Sequence, residues 1–241
     1  MKPNVTLAET RAPNGARMTL VEHDGAYCIR VNGQQLMHSA VSTSEVELGR
    51  LGCARLAGNG TASRVLIGGL GLGFTLRSVL ECTGPRAQVR VVELFPEIVA
   101  WNRAHLSGLN GALLADPRVA VTVGDIRPHI RRAAREPYDA VVLDIDNGTT
   151  AMVKHGNNQL YSDAGMRQIA LALKPGGRVA IWSACPDAVI EQRLKRAGFQ
   201  VEAVPAKLYA QARRSTYMIY VGDLPASPPG AASPRRTGKS R

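Results

Sequence analysis

From Arg64 onward, short unbroken runs of valine, isoleucine and leucine alternate with amphipathic segments. The apolar runs read VLIGGL, VRVVEL, VAVTV and YDAVVLDI, and the segments between them, such as PEIVAWNRAHL, have helical character. Unbroken apolar runs of this length are typical of a parallel sheet that is covered by helices on both faces. The alternation therefore predicts an α/β fold built on a doubly wound sheet.

A different pattern precedes this region. Residues 17–37 contain the turn dipeptides Asp24-Gly25 and Asn32-Gly33 between short runs that favour strands. An Asp-Gly or Asn-Gly pair between such runs is the strongest local signal for a hairpin turn. We therefore expect a small antiparallel β-meander ahead of the α/β region.

Two further elements frame the predicted sheet. Residues 43–56 carry apolar side chains at near-helical spacing, which predicts a helix with Ser44 as its N-cap. The run at residues 216–221 follows the strand near Val201 with no room for a full crossover helix. We expect this last strand to pair antiparallel at the end of the sheet.

Composition sets the organisation of the chain. With 45% apolar residues in 241, the chain can bury a real core. After Asp223 the sequence turns rich in proline and basic residues, which is typical of disorder. We divide the chain into an N-terminal extension (1–16), the β-meander with its linking helix (17–58), a cofactor-binding transferase domain (59–222) and a disordered basic tail (223–241).

The net charge of +11 is the one unusual property of the composition. Four of those charges lie in the segment 225–241, which leaves +7 for the rest of the chain. Most of the basic residues are arginine, which a general composition bias explains, and no nucleic-acid-binding motif accompanies them. The charge therefore gives no support to a nucleic-acid partner, and it is a modest argument against a polycationic substrate.

The cysteines indicate neither a metal site nor a disulfide framework. They lie far apart, with no CxxC pair, at positions Cys28, Cys53, Cys82 and Cys185. The first 30 residues lack a basic start followed by an apolar run, and the longest apolar stretch is far shorter than the ~20 residues of a membrane span. We expect a soluble, cytoplasmic protein with no membrane association.

A glycine-rich turn follows the first buried strand. The segment VLIGGLGLGF has the spacing GxGxG at Gly69, Gly71 and Gly73, and a helical segment comes directly after it. Glycines permit close approach of a ligand to the backbone, and the helix presents free amide groups. The dinucleotide fingerprint GxGxxG would need glycine where Phe74 stands, which argues against NAD. The alternative interpretation is a tight turn with close helix packing.

Acidic residues stand at the ends of the next three strands. Glu93 follows Gly73 by 20 residues, the separation at which a doubly wound nucleoside site places an acid for the ribose hydroxyls. Asp125 ends VAVTVGD and Asp144 lies near the end of YDAVVLDI. Each acid alone is as well explained by a helix N-cap or a turn. Together with the glycines they predict a nucleoside site at the carboxyl edge of the sheet.

The order of these motifs resembles a known family. GGxGxG, VVELFPEIV, VGDIRPHI, YDAVVLDIDN, NNQLYSDAGM and LKPGG follow one another as in the class I S-adenosylmethionine-dependent transferase fold, a seven-stranded sheet. The similarity is closest to the spermidine synthase (polyamine aminopropyltransferase) family, and it covers roughly residues 17–222, including the meander.

The resemblance implies a set of site residues and an adenosyl ligand, S-adenosylmethionine or its decarboxylated form. The glycines would approach the amino-acid part of this cofactor, Glu93 would hold the ribose, and Asp125 would meet the adenine. The implied cofactor-binding residues are Gly69, Gly71, Gly73, Glu93, Leu94, Asp125, Ile126 and Asp144. The catalytic candidates are Asp144, Asp146 and Tyr161, and no metal is implied.

Two departures from the family pattern bear on the reaction. Gly71 stands where the family has an acid for the amine of the decarboxylated cofactor, and Asn147 stands at the family's second aspartate, which serves as the base. An amide cannot act as a general base. Asp146, one residue away, is interpreted either as a replacement base or as a turn residue, with equal weight.

Three functions follow from these observations. The first is a spermidine synthase-like transferase that moves a methyl or related group from S-adenosylmethionine to an unidentified small acceptor. The second is a true aminopropyltransferase that uses decarboxylated S-adenosylmethionine and putrescine. The third is a non-catalytic nucleoside-binding regulatory protein. The acceptor is a small molecule in the first two, and we also expect a homodimer formed through the meander.

Two histidines are further candidates for a base near neutral pH. His38 follows the meander, and His155 lies in the segment between Asp144 and Tyr161. A solvated loop histidine is the commoner role for each.

Overall fold

The computed structural model of the chain describes residues 3–12, 15–56, 62–145, 159–209, 211–212 and 215–226. These residues form two β-sheets, one of four strands and one of seven. The strands are β1 (Val5–Arg11), β2 (Arg17–His23), β3 (Ala26–Val31), β4 (Gln34–His38), β5 (Arg64–Gly68), β6 (Gln88–Glu93), β7 (Val119–Val123), β8 (Tyr138–Leu143), β9 (Leu173–Ser183), β10 (Gln200–Lys207) and β11 (Ser215–Asp223).

Helices connect and cover the strands of the larger sheet. They are α1 (Thr43–Cys53), α2 (Phe74–Cys82), α3 (Pro96–Ala104), α4 (Ser107–Asn110), α5 (Ile126–Arg132), α6 (Asp163–Leu171) and α7 (Ala188–Arg196). Within the described ranges, none of them has the length and apolar character needed to cross a membrane. The predicted α/β class, with a doubly wound seven-stranded sheet behind a small antiparallel one, is confirmed.

The smaller sheet is the expected meander with one additional strand. Its order is β1-β2-β3-β4, all antiparallel. Asp24 and Asn32 adopt positive φ angles of 52° and 49° and are each followed by a glycine with positive φ, as type I′ turns require. Strand β1 lies inside the segment that the sequence interpretation treats as an N-terminal extension, so the sheet begins earlier than expected.

Helix α1 leads out of this sheet and packs on the larger one. It begins at Thr43, with Ser42 at the N-cap position, so Ser44 lies in the first turn and is not the cap. A Cβ atom at Gly52 would lie 2.7 Å from Cγ2 of Val142 on β8. The helix therefore contacts the larger sheet, although the sequence grouped it with the meander. The division of the chain at residues 59 and 222 stays a prediction.

The order of the larger sheet positions the candidate site. The strands run β10-β11-β9-β8-β5-β6-β7, and β5 pairs in parallel with β6 on one side and β8 on the other. The winding of the chain reverses at β5, and in open α/β sheets ligands bind outside the carboxyl ends of the strands at such a point. The ends of β5, β6, β7 and β8 therefore form one edge.

Strand β11 differs from its expected place. It lies between β9 and β10, antiparallel to both, whereas the sequence interpretation put it at the end of the sheet. Its residues Ile219, Tyr220 and Val221 are buried. Strand β10 is mostly exposed or half-buried. The more apolar strand takes the inner position because an inner strand has neighbours along both of its edges.

The contact between α1 and α2 generates a test of this packing. A Cβ atom at Gly49 would lie 2.7 Å from Cβ of Ser78 and 2.9 Å from the carbonyl oxygen of Thr75. We expect Gly49→Ala to lower the free energy of unfolding by about 1–3 kcal/mol, because the two helices must move apart. Urea unfolding followed by circular dichroism measures it.

Gly84→Ala is the matched control, since nothing lies within 4 Å of a Cβ atom built there. Equal stability of the two variants would contradict the close helix contact.

Candidate functional site

The glycine-rich turn after β5 is bounded by neighbouring backbone and side chains. Gly69, Gly71 and Gly73 have φ angles of 89°, 52° and 88°, a region that other residues rarely adopt. A Cβ atom at Gly69 would lie 2.1 Å from the carbonyl oxygen of Asp144, and one at Gly71 would lie 2.8 Å from Sδ of Met37. The turn can take this path only with glycine at these positions.

Gly73 has a different place from the other two glycines. It is the N-cap residue of α2, and a Cβ atom there would meet Nδ2 of Asn110 at 3.1 Å and Oδ1 of Asn102 at 3.3 Å. It does not line the cleft that Gly69 and Gly71 help to form. Its contacts support the alternative interpretation for this glycine, close packing of α2 against its neighbours.

Glu93 ends β6 and is buried beneath the glycine turn. Its Oε2 accepts a hydrogen bond from the amide of Leu70 at 2.8 Å, and its Oε1 accepts one from the amide of Phe95 at 2.9 Å. Burial raises the pKa of Glu93, and the backbone amides oppose that rise. The Glu93 carboxylate therefore holds the glycine turn through backbone amides and also lines the cleft.

Asp125 follows β7 and is the N-cap of α5. Its side chain accepts a hydrogen bond from the amide of Arg127 at 2.9 Å and forms an ion pair with the guanidinium of the same residue at 2.6 Å. The neighbouring Ile126 is buried. The structure thus gives Asp125 the helix-cap role that the sequence held open, while both residues line the cleft.

Asp144 follows β8, and its Oδ2 accepts a 2.6 Å hydrogen bond from the hydroxyl of Thr75 in the first turn of α2. Its pKa is raised to about 7, mainly by burial and further by the negative charge of Glu45, while the hydrogen bond from Thr75 opposes the rise. Burial also raises the pKa of Glu45, whose Oε2 accepts a 2.5 Å hydrogen bond from Ser44. Asp144 can therefore gain or lose a proton near neutral pH.

These residues surround one cleft at the carboxyl edge of the larger sheet. Seven of the eight predicted cofactor-binding residues line it, and only Gly73 lies outside. The full lining is Met18, Leu36, Met37, Gly69, Gly71, Val92, Glu93, Leu94, Phe95, Ile98, Gly124, Asp125, Ile126, Asp144 and Ile145.

The sequence interpretation missed the residues that other parts of the chain, outside the larger sheet, bring to the cleft or to Asp144. Met18, Leu36 and Met37 come from the smaller sheet, and Glu45 comes from α1. The sequence signal for Met37 was its place at the end of the meander. Glu45 carried no signal beyond its position in the first turn of a helix.

Of the remaining catalytic candidates, the structure describes Tyr161, which does not line this cleft. The hydroxyl of Tyr161 donates to the carbonyl oxygen of Ile145 at 3.4 Å, so it contacts the segment that follows Asp144. Asp146 lies outside the described residues, as does His155. His38 accepts a hydrogen bond at Nδ1 from the amide of Ala40 at 3.1 Å and does not line the cleft.

Comparison with known proteins gives relatives in sequence. No protein-family model matches the chain. It is 33% identical over 127 residues to the polyamine aminopropyltransferase of Mycobacterium tuberculosis, across 52% of this chain and 23% of that protein. It is 31% identical over 116 residues to putrescine N-methyltransferase 2 of Nicotiana attenuata, across 48% of this chain and 29% of that protein. The chain thus spans roughly a quarter of the length of these curated relatives.

A solved structure shares the fold across most of the chain. The crystal structure of a spermidine synthase in complex with the transition-state analogue AdoDATO superposes with a TM-score of 0.73 over 92% of this chain and 74% of that one, at 16% identity. The similarity in sequence and the similarity in fold confirm the resemblance to the spermidine synthase family.

The raised pKa of Asp144 predicts how stability depends on pH. The ordinary value is 3.8 and the folded value is about 7, so the folded state binds this proton more tightly than the unfolded state does. Stability that this proton contributes is present at low pH and is lost as the pH rises from about 4 through 7. We expect Asp144→Asn, which is neutral throughout, to lose less stability than the wild-type protein over that window.

Urea unfolding at several pH values from about 4.5 to 8 measures this difference. Asp163→Asn is the control, because Asp163 is an exposed acid paired with Arg196 outside the cleft. If Asp144→Asn and the wild-type protein lose stability in parallel, the raised pKa of Asp144 is wrong.

Proposed function

We propose that this chain is an enzyme that transfers an alkyl group from an adenosyl sulfonium donor to a small amine. The observation that carries the proposal is the convergence of the glycine turn, Glu93, Asp125 and Asp144 on one cleft at the reversal point of the sheet. The similarity to proteins named as aminopropyltransferase and methyltransferase supports the same class of reaction.

The cleft has the features that an adenosine group needs. Gly69 and Gly71 leave the backbone of the turn uncovered by side chains of its own. The Glu93 carboxylate lines the cleft and suits ribose hydroxyls as an acceptor, and Leu94 and Ile126 provide apolar surface for a purine ring. Asp125, held in place by Arg127, is the acceptor we propose for the exocyclic amine of adenine.

The sulfonium group of such a donor makes the carbon attached to sulfur electrophilic. A C–N bond to the amine forms as the C–S bond breaks, and the electron pair of the C–S bond stays on sulfur. The nitrogen then gives up a proton. The chain needs only to align the reacting atoms and to accept that proton. Asp144 is the described residue suited to accept it, since its pKa of about 7 leaves a large ionised fraction at neutral pH. Tyr161 would act indirectly, by fixing the segment at Ile145.

Aminopropyl transfer to a diamine such as putrescine is the specific reaction that the comparisons favour. It rests on the name of the Mycobacterium tuberculosis relative and on the likeness to spermidine synthase. The donor in that case is decarboxylated S-adenosylmethionine. The proposal includes a cytoplasmic location and a homodimer through the smaller sheet.

Methyl transfer from S-adenosylmethionine is the second candidate. A specific observation favours it, because Gly71 brings no acid toward the ammonium group of a decarboxylated donor and faces the Met37 thioether instead. The similarity to a plant putrescine N-methyltransferase is consistent with this alternative.

A product assay tests the proposed reaction. We expect purified protein to convert putrescine to spermidine when it is given decarboxylated S-adenosylmethionine, with mass spectrometry of the polyamine fraction as the readout. N-methylputrescine from S-adenosylmethionine would favour the second candidate. Asp144→Asn should lower the turnover number by about a hundredfold, the usual scale for loss of a general base. Absence of product with either donor across a panel of small amines would count against both.

Binding of the nucleoside is tested separately from the reaction. We expect Glu93→Gln to weaken the binding of methylthioadenosine by about tenfold or more, because one acceptor oxygen becomes a donor that also faces a backbone amide. Isothermal titration calorimetry measures the dissociation constant.

Glu97→Gln on α3 is the matched control, since it removes a carboxylate outside the cleft lining. Circular dichroism confirms that both variants are folded. An unchanged affinity in folded Glu93→Gln would refute the role of Glu93.

A further inference from the structure

Met37 connects the smaller sheet to the glycine turn. It lies on β4, and a Cβ atom built at Gly71 would come within 2.8 Å of its Sδ and 3.2 Å of its Cε. Asn102 also fixes this part of the turn, since its Nδ2 donates to the carbonyl oxygen of Gly71 at 2.8 Å. The thioether of Met37 therefore fills the space that a side chain at residue 71 would need.

Two more apolar side chains extend this surface. Met18 on β2 is buried, Leu36 lies next to Met37 on β4, and all three line the cleft. We call Met18, Leu36 and Met37 the methionine wall. It is supplied by the smaller sheet, whereas the charged residues of the cleft are supplied by the larger one.

The carboxylates of the described cleft residues already have partners in the turns and helices that follow the strands of the larger sheet. Glu93 accepts hydrogen bonds from two backbone amides, and Asp125 is paired with Arg127. Asp144 accepts from Thr75 and contacts the turn at Gly69, two residues away from the Met37 contact. A ligand group that rests against the methionine wall thus meets alkyl and thioether surface.

We propose that Met37 sets the affinity of the cleft for the substituent on the 5′ sulfur of an adenosyl ligand, so that an uncharged methylthio group binds more tightly than a substituent that ends in an ammonium group, which the cleft still admits. This inference rests on the proposed function, because it assumes that the cleft binds adenosine. An ammonium group placed against the wall loses its hydration without gaining a charged partner. A methyl group placed there has no charge to desolvate, and burial of its apolar surface stabilises the complex.

Calorimetric titration of the wild-type protein gives the first test. We expect methylthioadenosine to bind at least about tenfold more tightly than decarboxylated S-adenosylmethionine, which corresponds to the absence of one charge-assisted hydrogen bond. Equal affinity, or tighter binding of the decarboxylated compound, would overturn the selection by Met37 while leaving adenosyl binding intact. Failure of both compounds to bind would overturn the proposed function as well, so the two failures are distinguishable.

A pair of isosteric variants gives the second test. Met37→Glu places a carboxylate at the end of a side chain of similar length, and Met37→Gln places an uncharged amide there. We expect Met37→Glu to bind decarboxylated S-adenosylmethionine about tenfold more tightly than Met37→Gln does, with little difference between them for methylthioadenosine. Equal affinity of both variants for decarboxylated S-adenosylmethionine would overturn the proposal, because the charge at residue 37 would then not act on the ligand.

Met37→Leu keeps the wall apolar and should retain the wild-type preference. Its affinity ratio decides the question if Met37→Glu does not fold, because a reversal of the preference in the leucine variant would overturn the proposal. Thermal unfolding of each variant establishes that it is folded before titration.

Discussion

The contact between the glycine turn and the end of β8 determines the arrangement of the candidate site. The amide of Asp144 donates to the carbonyl oxygen of Gly68 at 2.8 Å, and the amide of Gly69 donates to the carbonyl oxygen of Val92 at 2.9 Å. The end of β5 is thus bonded to both neighbouring strands. A side chain at residue 69 would collide with the Asp144 carbonyl oxygen, so this junction requires glycine. It places the Glu93 carboxylate under the turn and the Asp144 carboxyl against α2.

The distribution of charge gives the cleft a character opposite to that of the whole chain. The chain carries a net charge of +11. Glu45, Glu93 and Asp144 accept hydrogen bonds from hydroxyl groups or backbone amides. Among the described residues, no lysine or arginine forms an ion pair with any of these three acids. A low-dielectric site lined by acids attracts a cation at short range even when the surface is basic. Beside these acids the basic charge of the whole chain therefore counts less against a cationic group, whereas the methionine wall of the same cleft offers such a group no carboxylate.

The sequence predicted what depends on local pattern and missed what depends on distant packing. Unbroken apolar runs mark buried strands, and acids at their ends fall at one edge because parallel strands share a direction. The inner place of β11 depends on pairing with strands on both sides, which no local run encodes. No local run encodes the positions of Met37 and Glu45 either. Met37 reaches the site from the smaller sheet, and Glu45 lies beside Asp144 because α1 packs on the larger sheet.

The properties of Asp144 bear on the departure from the family pattern at Asn147. An amide at that position cannot accept a proton, which on the sequence alone argues against amine chemistry that needs a base. Burial beside Glu45 raises the pKa of Asp144 to about 7, and Thr75 fixes one of its oxygens. A carboxyl with that pKa is close to the optimum for a base at neutral pH. The raised pKa of Asp144 thus supports a role for this first acid as the base, so the loss at Asn147 does not by itself exclude transfer to an amine.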